Sequence, residues 1–125
     1  MYIQYNPNPD RKLVGDCVIR ALCKILNQDW ETAFLNLVIT ALNMHDMPSS
    51  NSVWAEHLYQ QGFHRHIIPD TCPACYTVRQ FAREHPHGTY LLGTGTHVIA
   101  VVSGDYFDTW DSGDETPIYY FKKED

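Results

Sequence analysis

The spacing of apolar residues changes once along the chain, and this change limits the folds that the chain can adopt. Between residues 16 and 84 apolar residues recur every three or four positions, as in Val18, Leu22 and Ile25, which is the spacing of one helix face. After Gly88 the spacing shortens to about two, in segments rich in Tyr, Val, Ile, Phe and Thr, which is typical of β-strands. The sequence therefore predicts an α+β fold with N-terminal helices packed on a C-terminal antiparallel β-sheet.

Local signals divide this pattern into individual elements. Asp16, Asp29 and Ser52 are good N-cap residues at the starts of three predicted helices, and a fourth, short helix covers residues 77–83. Two Asn-Pro pairs within residues 1–15 indicate an extended arm and loop. The apolar stripe of the second helix consists of Phe34, Leu35, Val38, Ile39 and Leu42. The predicted strands cover residues 63–68, 89–94, 96–102, 105–110 and 118–121.

Length and charge exclude several classes of protein. The chain has 125 residues and neither a repeat nor a linker, so residues 1–125 are expected to form a single domain. Nine Lys and Arg residues stand against 15 Asp and Glu residues, with no basic stripe, so no nucleic-acid partner is expected. No segment approaches about 18 consecutive apolar residues, so no membrane partner is expected. Four cysteines and no signal-peptide pattern predict a cytoplasmic protein with free thiols.

Cys17 is the first candidate for chemistry. It follows Gly15-Asp16 and falls in the first turn of the first predicted helix, where the unpaired N–H groups and the helix dipole favour a thiolate. Position alone favours a second interpretation, in which Cys17 is a small buried hydrophobic side chain. Cys23 faces away from Cys17 on the same helix and is assigned to the core. Arg20, one turn from Cys17, is expected to face solvent.

His97 and Asp108 are the second and third candidates. His97 precedes a continuous apolar run, and Asp108 lies on the next predicted strand. A two-residue turn at Ser103-Gly104 places His97 opposite Trp110, and a turn one residue later shifts this register by two positions. In both registers Asp108 shares a face with His97 and is its diagonal neighbour, about 7–8 Å away at the backbone. Asp111 lies an odd number of positions from Asp108, so its side chain is expected on the opposite face of the strand. It joins the face of His97 only if the strand ends before residue 111.

Together these residues follow the order Cys, His, Asp, which suits a thiol enzyme. An imidazole accepts the thiol proton, the imidazolium stabilises the thiolate, and the carboxylate fixes the ring tautomer. The segment Gly15–Leu22 resembles the Asp-Cys-x-x-x-Ala-Leu segment of bacterial papain-like peptidases, including those that process bacteriocin leaders. Thr96–Val101 resembles their histidine strand. Asp108-Thr109-Trp110 is similar to the Asn-Ser-Trp of papain-like enzymes, with Asp in place of Asn.

The resemblance extends over most of the chain and is weakest at residues 28–75. Small papain-like proteins of bacteria and their phages share the Asn-Pro-rich start and the Gly-Asp-Cys helix. They also share a Thr-Val-x-x-Phe-Ala helix, here Thr77–Ala82, and a Tyr-Asp-Thr-Trp-Asp-Ser hairpin, here Phe107–Ser112.

This resemblance implies a papain-like fold and a set of residue roles. Cys17 corresponds to the nucleophile, His97 to the general base and Asp108 to the orienting carboxylate. In that family the Trp shields the contact between the His and its partner, a role that would fall to Trp110. Asp111, next to Trp110, is kept as a supporting candidate.

One position departs from the papain-like pattern. These enzymes usually carry a Gln six residues before the cysteine to complete the oxyanion hole, and Arg11 occupies that position here. Asn6 and Asn8 lie further upstream, and we expect one of them to donate its amide N–H to the oxyanion instead. Losing one such donor typically costs about 10²–10³ in rate, so catalysis is expected to be inefficient if neither residue reaches the site.

A lone CxxC pair, Cys72 and Cys75, admits three interpretations. Zinc needs four N or S ligands, and the pair has a His-x-His sequence on either side, at residues 64–66 and 85–87. The His-x-His spacing is unusual for zinc, however, and no second CxxC is present. A redox or disulfide pair is the second interpretation, although no thioredoxin-like unit surrounds it. Two ordinary thiols are the expected state, so neither a metal nor any other cofactor is predicted.

These observations support one leading hypothesis and two alternatives. The leading hypothesis is a cysteine-dependent hydrolase or acyl-transferase that cleaves a peptide or isopeptide bond of a protein or peptide substrate through a thioester intermediate. The first alternative is a catalytically weak or inactive papain-like binding protein of phage or bacterial origin that sequesters a protein partner, which Arg11 in place of Gln suggests. The second alternative is a zinc-stabilised interaction module.

Overall fold

Helices and strands follow one another in the order that the change in spacing predicts, with one additional strand at the start. The structure is a computed structural model and describes residues 1–124. Its helices are α1 (Cys17–Leu26), α2 (Trp30–Met44), α3 (Asn51–Gln60) and α4 (Val78–Glu84). Its strands are β1 (Tyr2–Gln4), β2 (Phe63–Ile67), β3 (Thr89–Gly93), β4 (Val98–Val102), β5 (Asp105–Asp108) and β6 (Tyr119–Lys123). The α+β class is therefore confirmed.

The six strands form one sheet in the order β1-β5-β4-β3-β6-β2. Four of the five pairings are antiparallel, but β1 runs parallel to β5, with Tyr2 opposite Tyr106 and Gln4 opposite Asp108. The prediction of an antiparallel sheet is therefore wrong for this one pairing, and the extended arm predicted within residues 1–15 contains a strand that was not predicted. Pairing with β5 satisfies the backbone groups of β1 that face it, and Tyr5 N–H also donates to the Asp108 carbonyl at 2.8 Å.

The sheet is covered on both faces, which explains why its central strands are apolar throughout. Helices α1, α2 and α3 pack on one face, where Leu91, Ala100 and Phe121 join their core. Helix α4 packs on the other face against Leu92 and Ile99. Because successive strand residues point to opposite faces, each central strand contributes to both cores. The site described below lies where α1 meets β4 and β5.

The β4–β5 hairpin has the first of the two predicted registers. Val102 is opposite Asp105, and Ser103 and Gly104 form the two-residue turn. Both turn residues have positive φ, 51° at Ser103 and 84° at Gly104, as a type I′ turn requires. Extended by three pairs beyond Ala100 and Phe107, this register puts His97 opposite Trp110.

Helix α2 does not bury the stripe that its sequence pattern suggests. Its buried side is formed by Ala33, Leu37, Thr40 and Ala41, and small alanines let the helix approach α1 and α3 closely. Phe34, Leu35, Ile39 and Leu42 are exposed. The helical spacing of the apolar residues is as predicted. The helix has two apolar faces, however, and the face with the smaller residues is the one that packs into the core. None of the helices within residues 1–124 is long and apolar enough to cross a membrane.

Cys72 and Cys75 form a disulfide in the loop between β2 and α4, which corrects the prediction of two free thiols. Cys17 and Cys23 are free. Within the described residues no group of three or more His, Cys, Asp or Glu side chains is arranged to hold a metal ion. His85 stacks on Phe81, with ring centroids 3.8 Å apart, rather than approaching the CxxC pair as a ligand.

Candidate active site

Cys17 is the first residue of α1, and the N-cap Asp16 leaves the helix N-terminus open. The Asp16 side chain makes no capping hydrogen bond to the first turn. Its Oδ1 instead accepts from Arg20 Nη1 at 2.8 Å and its Oδ2 accepts from Trp30 Nε1 at 2.9 Å. The N–H groups at the start of α1 therefore stay free of a side-chain cap, beside the thiol, where they favour negative charge.

His97 lies just before β4 and contacts the carboxylate at the end of β5. Its Nε2 is 2.6 Å from Asp108 Oδ2. The ring also stacks on Trp110, with centroids 5.4 Å apart and planes 30° apart. Trp110 is itself about half exposed, so it covers the His97–Asp108 contact from the solvent side.

Asp108 is fully buried and accepts four hydrogen bonds. Oδ2 accepts from His97 Nε2 and from Ser112 Oγ, the latter at 2.7 Å. Oδ1 accepts from Arg20 Nη2 at 3.0 Å and from the Thr109 N–H at 2.8 Å. Burial alone would raise the pKa of Asp108, but the hydrogen bonds from His97 and Ser112 and the charge of His97 lower it below its ordinary value. The carboxylate is thus held ionised in one orientation.

Cys17 and His97 are neighbours that line the same two clefts, and each shifts the pKa of the other. Because Nε2 of His97 faces Asp108, Nδ1 is the ring nitrogen left for the thiol. Burial would raise the pKa of Cys17, but the hydrogen bonds from His97 and from the Val98 N–H and the charges of His97 and Arg20 lower it below its ordinary value.

The pKa of His97 shifts in the opposite direction. Burial would lower it, but the hydrogen bonds and charges of Asp108 and Cys17 raise it to about 9. A lowered thiol pKa and a raised imidazole pKa favour the same state, a thiolate paired with an imidazolium. The arrangement therefore favours a thiolate at a lower pH than in an ordinary cysteine, with a proton held beside it.

Arg20 lies inside the site, contrary to the prediction from the sequence. It is buried, 6% exposed, and its guanidinium bridges Asp16 and Asp108, so the expectation that it faces solvent is incorrect. The signal in the sequence was its spacing of four residues from Asp16, since Asp and Arg at i and i+4 share a helix face. The physical reason is that the buried Asp108 carboxylate needs a cation to offset its desolvation.

Ser112 was not singled out as a site residue. It is fully buried, and its hydroxyl fixes the Asp108 oxygen that also contacts His97. Residues 111–116, between the predicted strands 105–110 and 118–121, contain neither helix nor strand, and no local pattern indicates that a serine among them turns inward. The contact depends on where the loop passes over the end of β5.

Two clefts flank the pair formed by Cys17 and His97. The larger has a volume of about 490 Å³ and lies between α1, α2, the start of α3 and β4. The smaller, about 250 Å³, lies against Arg20, Thr109 and Trp110, and Cys17 and His97 line both clefts. Most of the lining of the larger cleft is apolar, including Ile19, Trp30, Phe34, Leu37, Val38 and Val98. A chain laid across both clefts would pass over the sulfur.

Three predicted supporting residues do not reach this site. Asn6 and Asn8 line neither cleft. Asn8 Oδ1 accepts from the backbone of Asp10 and Lys12, and Asn6 Nδ2 donates to the Lys12 carbonyl. Both amides therefore shape the loop before Cys17 and do not form an oxyanion hole.

Asp111, the third of them, belongs to a separate cluster on the other side of the hairpin end. Its Oδ1 accepts from Tyr106 Oη and from the Gly113 N–H, at 2.5 and 3.0 Å. Arg79 Nη2 lies 3.6 Å from the same oxygen. Strand alternation predicts this placement, because it directs the Asp111 side chain to the face opposite His97.

Comparisons of the chain with protein-family models, with curated proteins and with solved structures find no match.

Proposed function

We propose that this chain is a papain-like cysteine hydrolase that cleaves a peptide or isopeptide bond. The observation that carries the proposal is that His97, hydrogen-bonded to the buried Asp108, lines two clefts together with Cys17. A thiol enzyme needs a base beside the nucleophile and a carboxylate on the far side of that base, and Cys17, His97 and Asp108 follow this order. The resemblance of Gly15–Leu22 and of Thr96–Val101 to papain-like segments supports the same proposal.

The reaction would proceed in two steps. In the first, the Cys17 thiolate attacks the carbonyl carbon, a C–S bond forms, and the carbonyl oxygen becomes an oxyanion. His97 then gives its proton to the leaving nitrogen as the C–N bond breaks, which releases an amine and leaves a thioester on Cys17. In the second step His97 takes a proton from water, the resulting hydroxide attacks the thioester, and the C–S bond breaks to release the acid and restore the thiolate.

The oxyanion would be stabilised mainly by backbone donors. The start of α1 offers N–H groups without a side-chain cap, and the N–H of Cys17 lies nearest the sulfur. Neither Asn6 nor Asn8 adds an amide donor to this position. Since one oxyanion donor is worth about 10²–10³ in rate, we expect slower turnover than in an enzyme with a side-chain donor.

That neither Asn6 nor Asn8 supplies an oxyanion donor also favours one alternative. A papain-like protein that lacks the amide donor can bind a protein segment across Cys17 and His97 and turn it over slowly or not at all. In this alternative the clefts serve to sequester a partner. The two functions differ in whether an acyl group placed on Cys17 is released.

A simple ester separates these two functions. p-Nitrophenyl acetate transfers its acetyl group to a reactive thiolate and releases a coloured phenolate. We expect a burst of about one phenolate per chain followed by steady turnover, the loss of both phases in Cys17→Ala, and the loss of the steady phase in His97→Ala. His66→Ala, at an exposed histidine outside the site, should behave as wild type.

Two results would contradict the proposal. Phenolate release that is unchanged in Cys17→Ala would show that Cys17 is not the nucleophile. A burst without steady turnover in the wild-type protein would favour the binding protein over the hydrolase. Mass spectrometry of the acetylated peptide identifies the modified residue in either case.

A further inference from the structure

Helix α2 carries an apolar surface that nothing in the described chain covers. We call this surface the α2 outer face. It consists of Phe34, Leu35, Ile39, Leu42 and Met47, which are 41%, 58%, 54%, 68% and 67% exposed. Scattered apolar residues are ordinary on protein surfaces, but five on one helix and its following loop form a contiguous patch, which is typical of a binding surface.

The α2 outer face is continuous with the larger cleft beside Cys17. Phe34 belongs to both, since it lines the cleft and is partly exposed. Val38 lines the cleft one residue before Ile39, and it lies one helical turn from Leu42. An extended or helical segment that occupies the cleft can therefore continue along α2 without leaving an apolar surface.

The Asp, Glu, Lys and Arg residues on α2, α3 and their adjoining loops are all of one sign. Residues 25–62 contain no Lys or Arg and include Asp29, Glu31, Asp46 and Glu56. Glu31 and Asp46 are exposed and lie toward opposite ends of the stripe, because Glu31 is in the first turn of α2 and Asp46 follows its C-cap His45. An apolar stripe between carboxylates is complementary to a segment that is apolar on one side and basic at its edges.

We propose that the α2 outer face and the larger cleft bind a segment of a protein partner that combines large apolar side chains with Lys or Arg. Insofar as this partner is the substrate, the inference rests on the proposed hydrolase function. The cleft would then take an apolar side chain next to the bond that Cys17 attacks. The α2 outer face would hold the neighbouring apolar positions, with Glu31 and Asp46 pairing with the basic ones.

The same charges argue against two other occupants. A symmetric dimer would place this patch against its own copy, which would bring Glu31 and Asp46 of one protomer near those of the other, and like charges across an interface are unfavourable. An anionic lipid surface would be repelled for the same reason. A basic apolar segment is the occupant whose charge matches.

The binding test uses Cys17→Ala, so that no turnover interferes with it. A fluorescein-labelled 14-residue peptide of Leu and Lys, with Leu at helical spacing, is titrated by fluorescence anisotropy. A Leu and Glu peptide of the same pattern is the charge control. We expect the Leu and Lys peptide to bind about tenfold or more tightly than the Leu and Glu peptide, and to weaken with added salt.

Variants then locate the site. Ile39→Asn/Leu42→Asn should weaken binding of the Leu and Lys peptide about tenfold or more, since it removes two exposed apolar contacts. Glu31→Gln/Asp46→Asn keeps side-chain shape and should weaken binding severalfold while reducing the salt dependence. Ile67→Asn is the matched control, at an exposed isoleucine on β2, and should leave binding unchanged.

The outcomes separate this inference from the proposed function. Equal binding of the two peptides, or binding that is unchanged in Ile39→Asn/Leu42→Asn, would overturn the inference even if Cys17 hydrolyses esters. Sedimentation that shows a dimer of the Cys17→Ala chain, dissociated by Ile39→Asn/Leu42→Asn, would overturn it in favour of a second copy. Selective binding by a chain without esterase activity would support the surface and contradict the hydrolase.

Discussion

Arg20 Nη2 lies 3.0 Å from Asp108 Oδ1, so a buried guanidinium joins the first turns of α1 to the end of β5. The same guanidinium contacts Asp16, the residue before Cys17, at 2.8 Å. Cys17, the proposed nucleophile, stands on α1, and Asp108, which contacts His97, stands on β5. The ion pair therefore fixes the distance between the two halves of the site as well as neutralising two buried carboxylates.

Arg20→Met is predicted to be strongly destabilising. It keeps the length of the aliphatic side chain but leaves Asp16 and Asp108 buried without their cation, and breaking a buried pair in this way typically costs about 3–5 kcal/mol. Urea unfolding followed by circular dichroism measures the change. Arg79→Met removes an exposed pair with Asp114 and should not change the midpoint. An Arg20→Met midpoint equal to wild type would show that the bridge is unimportant.

Asp108→Asn is predicted to lower the pKa of His97. The carboxylate is a main cause of the value of about 9, and the amide keeps a hydrogen-bond acceptor while removing the charge. The alkaline limb of the pH–rate profile for ester hydrolysis should therefore move down from about 9, and the His97 resonances should titrate with it in NMR spectra. An alkaline limb that stays in place would contradict the assignment of Asp108 as the orienting carboxylate.

His57 is predicted to make the protein less stable in acid. It is 4% exposed between α2 and α3, its Nδ1 lies 3.2 Å from Thr40 Oγ, and its Nε2 has no partner. Burial lowers its pKa below 6.5, so the unfolded chain takes up the proton first as the pH falls. The stabilising effect is complete above pH 6.5 and is lost below it, at no more than about 1.4 kcal/mol per pH unit.

Replacing His57 tests this expectation. In His57→Leu the free energy of unfolding should fall less steeply between about pH 7 and 5 than in the wild type. His87→Leu, at an exposed site, should keep the wild-type slope. Equal slopes in His57→Leu and wild type would mean that His57 does not link stability to pH.

The four cysteines are predicted to differ in reactivity. Without a reductant, iodoacetamide should label Cys17 readily and Cys23 only after unfolding, because Cys23 is buried and its pKa is raised to about 11, mainly by burial. Cys72 and Cys75 should be labelled only after reduction, because they are joined in a disulfide. Peptide mass spectrometry distinguishes the four sites. Labelling of Cys72 or Cys75 in the unreduced protein would contradict the disulfide.

Local patterns were sufficient to predict the core of the site. The first turn of α1 follows from Gly15-Asp16, and the β4–β5 register is one of the two that the sequence Ser103-Gly104-Asp105 allows. Once that register is known, the approach of His97 and Asp108 follows from strand geometry. The chemical roles of these residues remain predictions.

Non-local pairing was not predictable in the same way. β1 has only three residues and no alternation, and its pairing with β5 joins positions about a hundred residues apart. The burial of Arg20 and Ser112 depends on where Asp108 ends up, and so on tertiary packing. The orientation of α2 depends on which of its two apolar faces fits the neighbouring helices, which helical periodicity does not encode.

The central claim is that Cys17 and His97 form a thiolate–imidazolium pair, and the rate of Cys17 alkylation as a function of pH tests it most directly. The rates are measured with iodoacetamide and peptide mass spectrometry in the wild type and in His97→Ala. We predict rapid labelling of wild-type Cys17 well below pH 8 and a curve displaced to higher pH in His97→Ala, because a tenfold loss of thiolate accompanies each rise of about 1 in the thiol pKa. Superimposable curves in the two proteins, with the midpoint of an ordinary thiol, would contradict the ion pair and the hydrolase that depends on it.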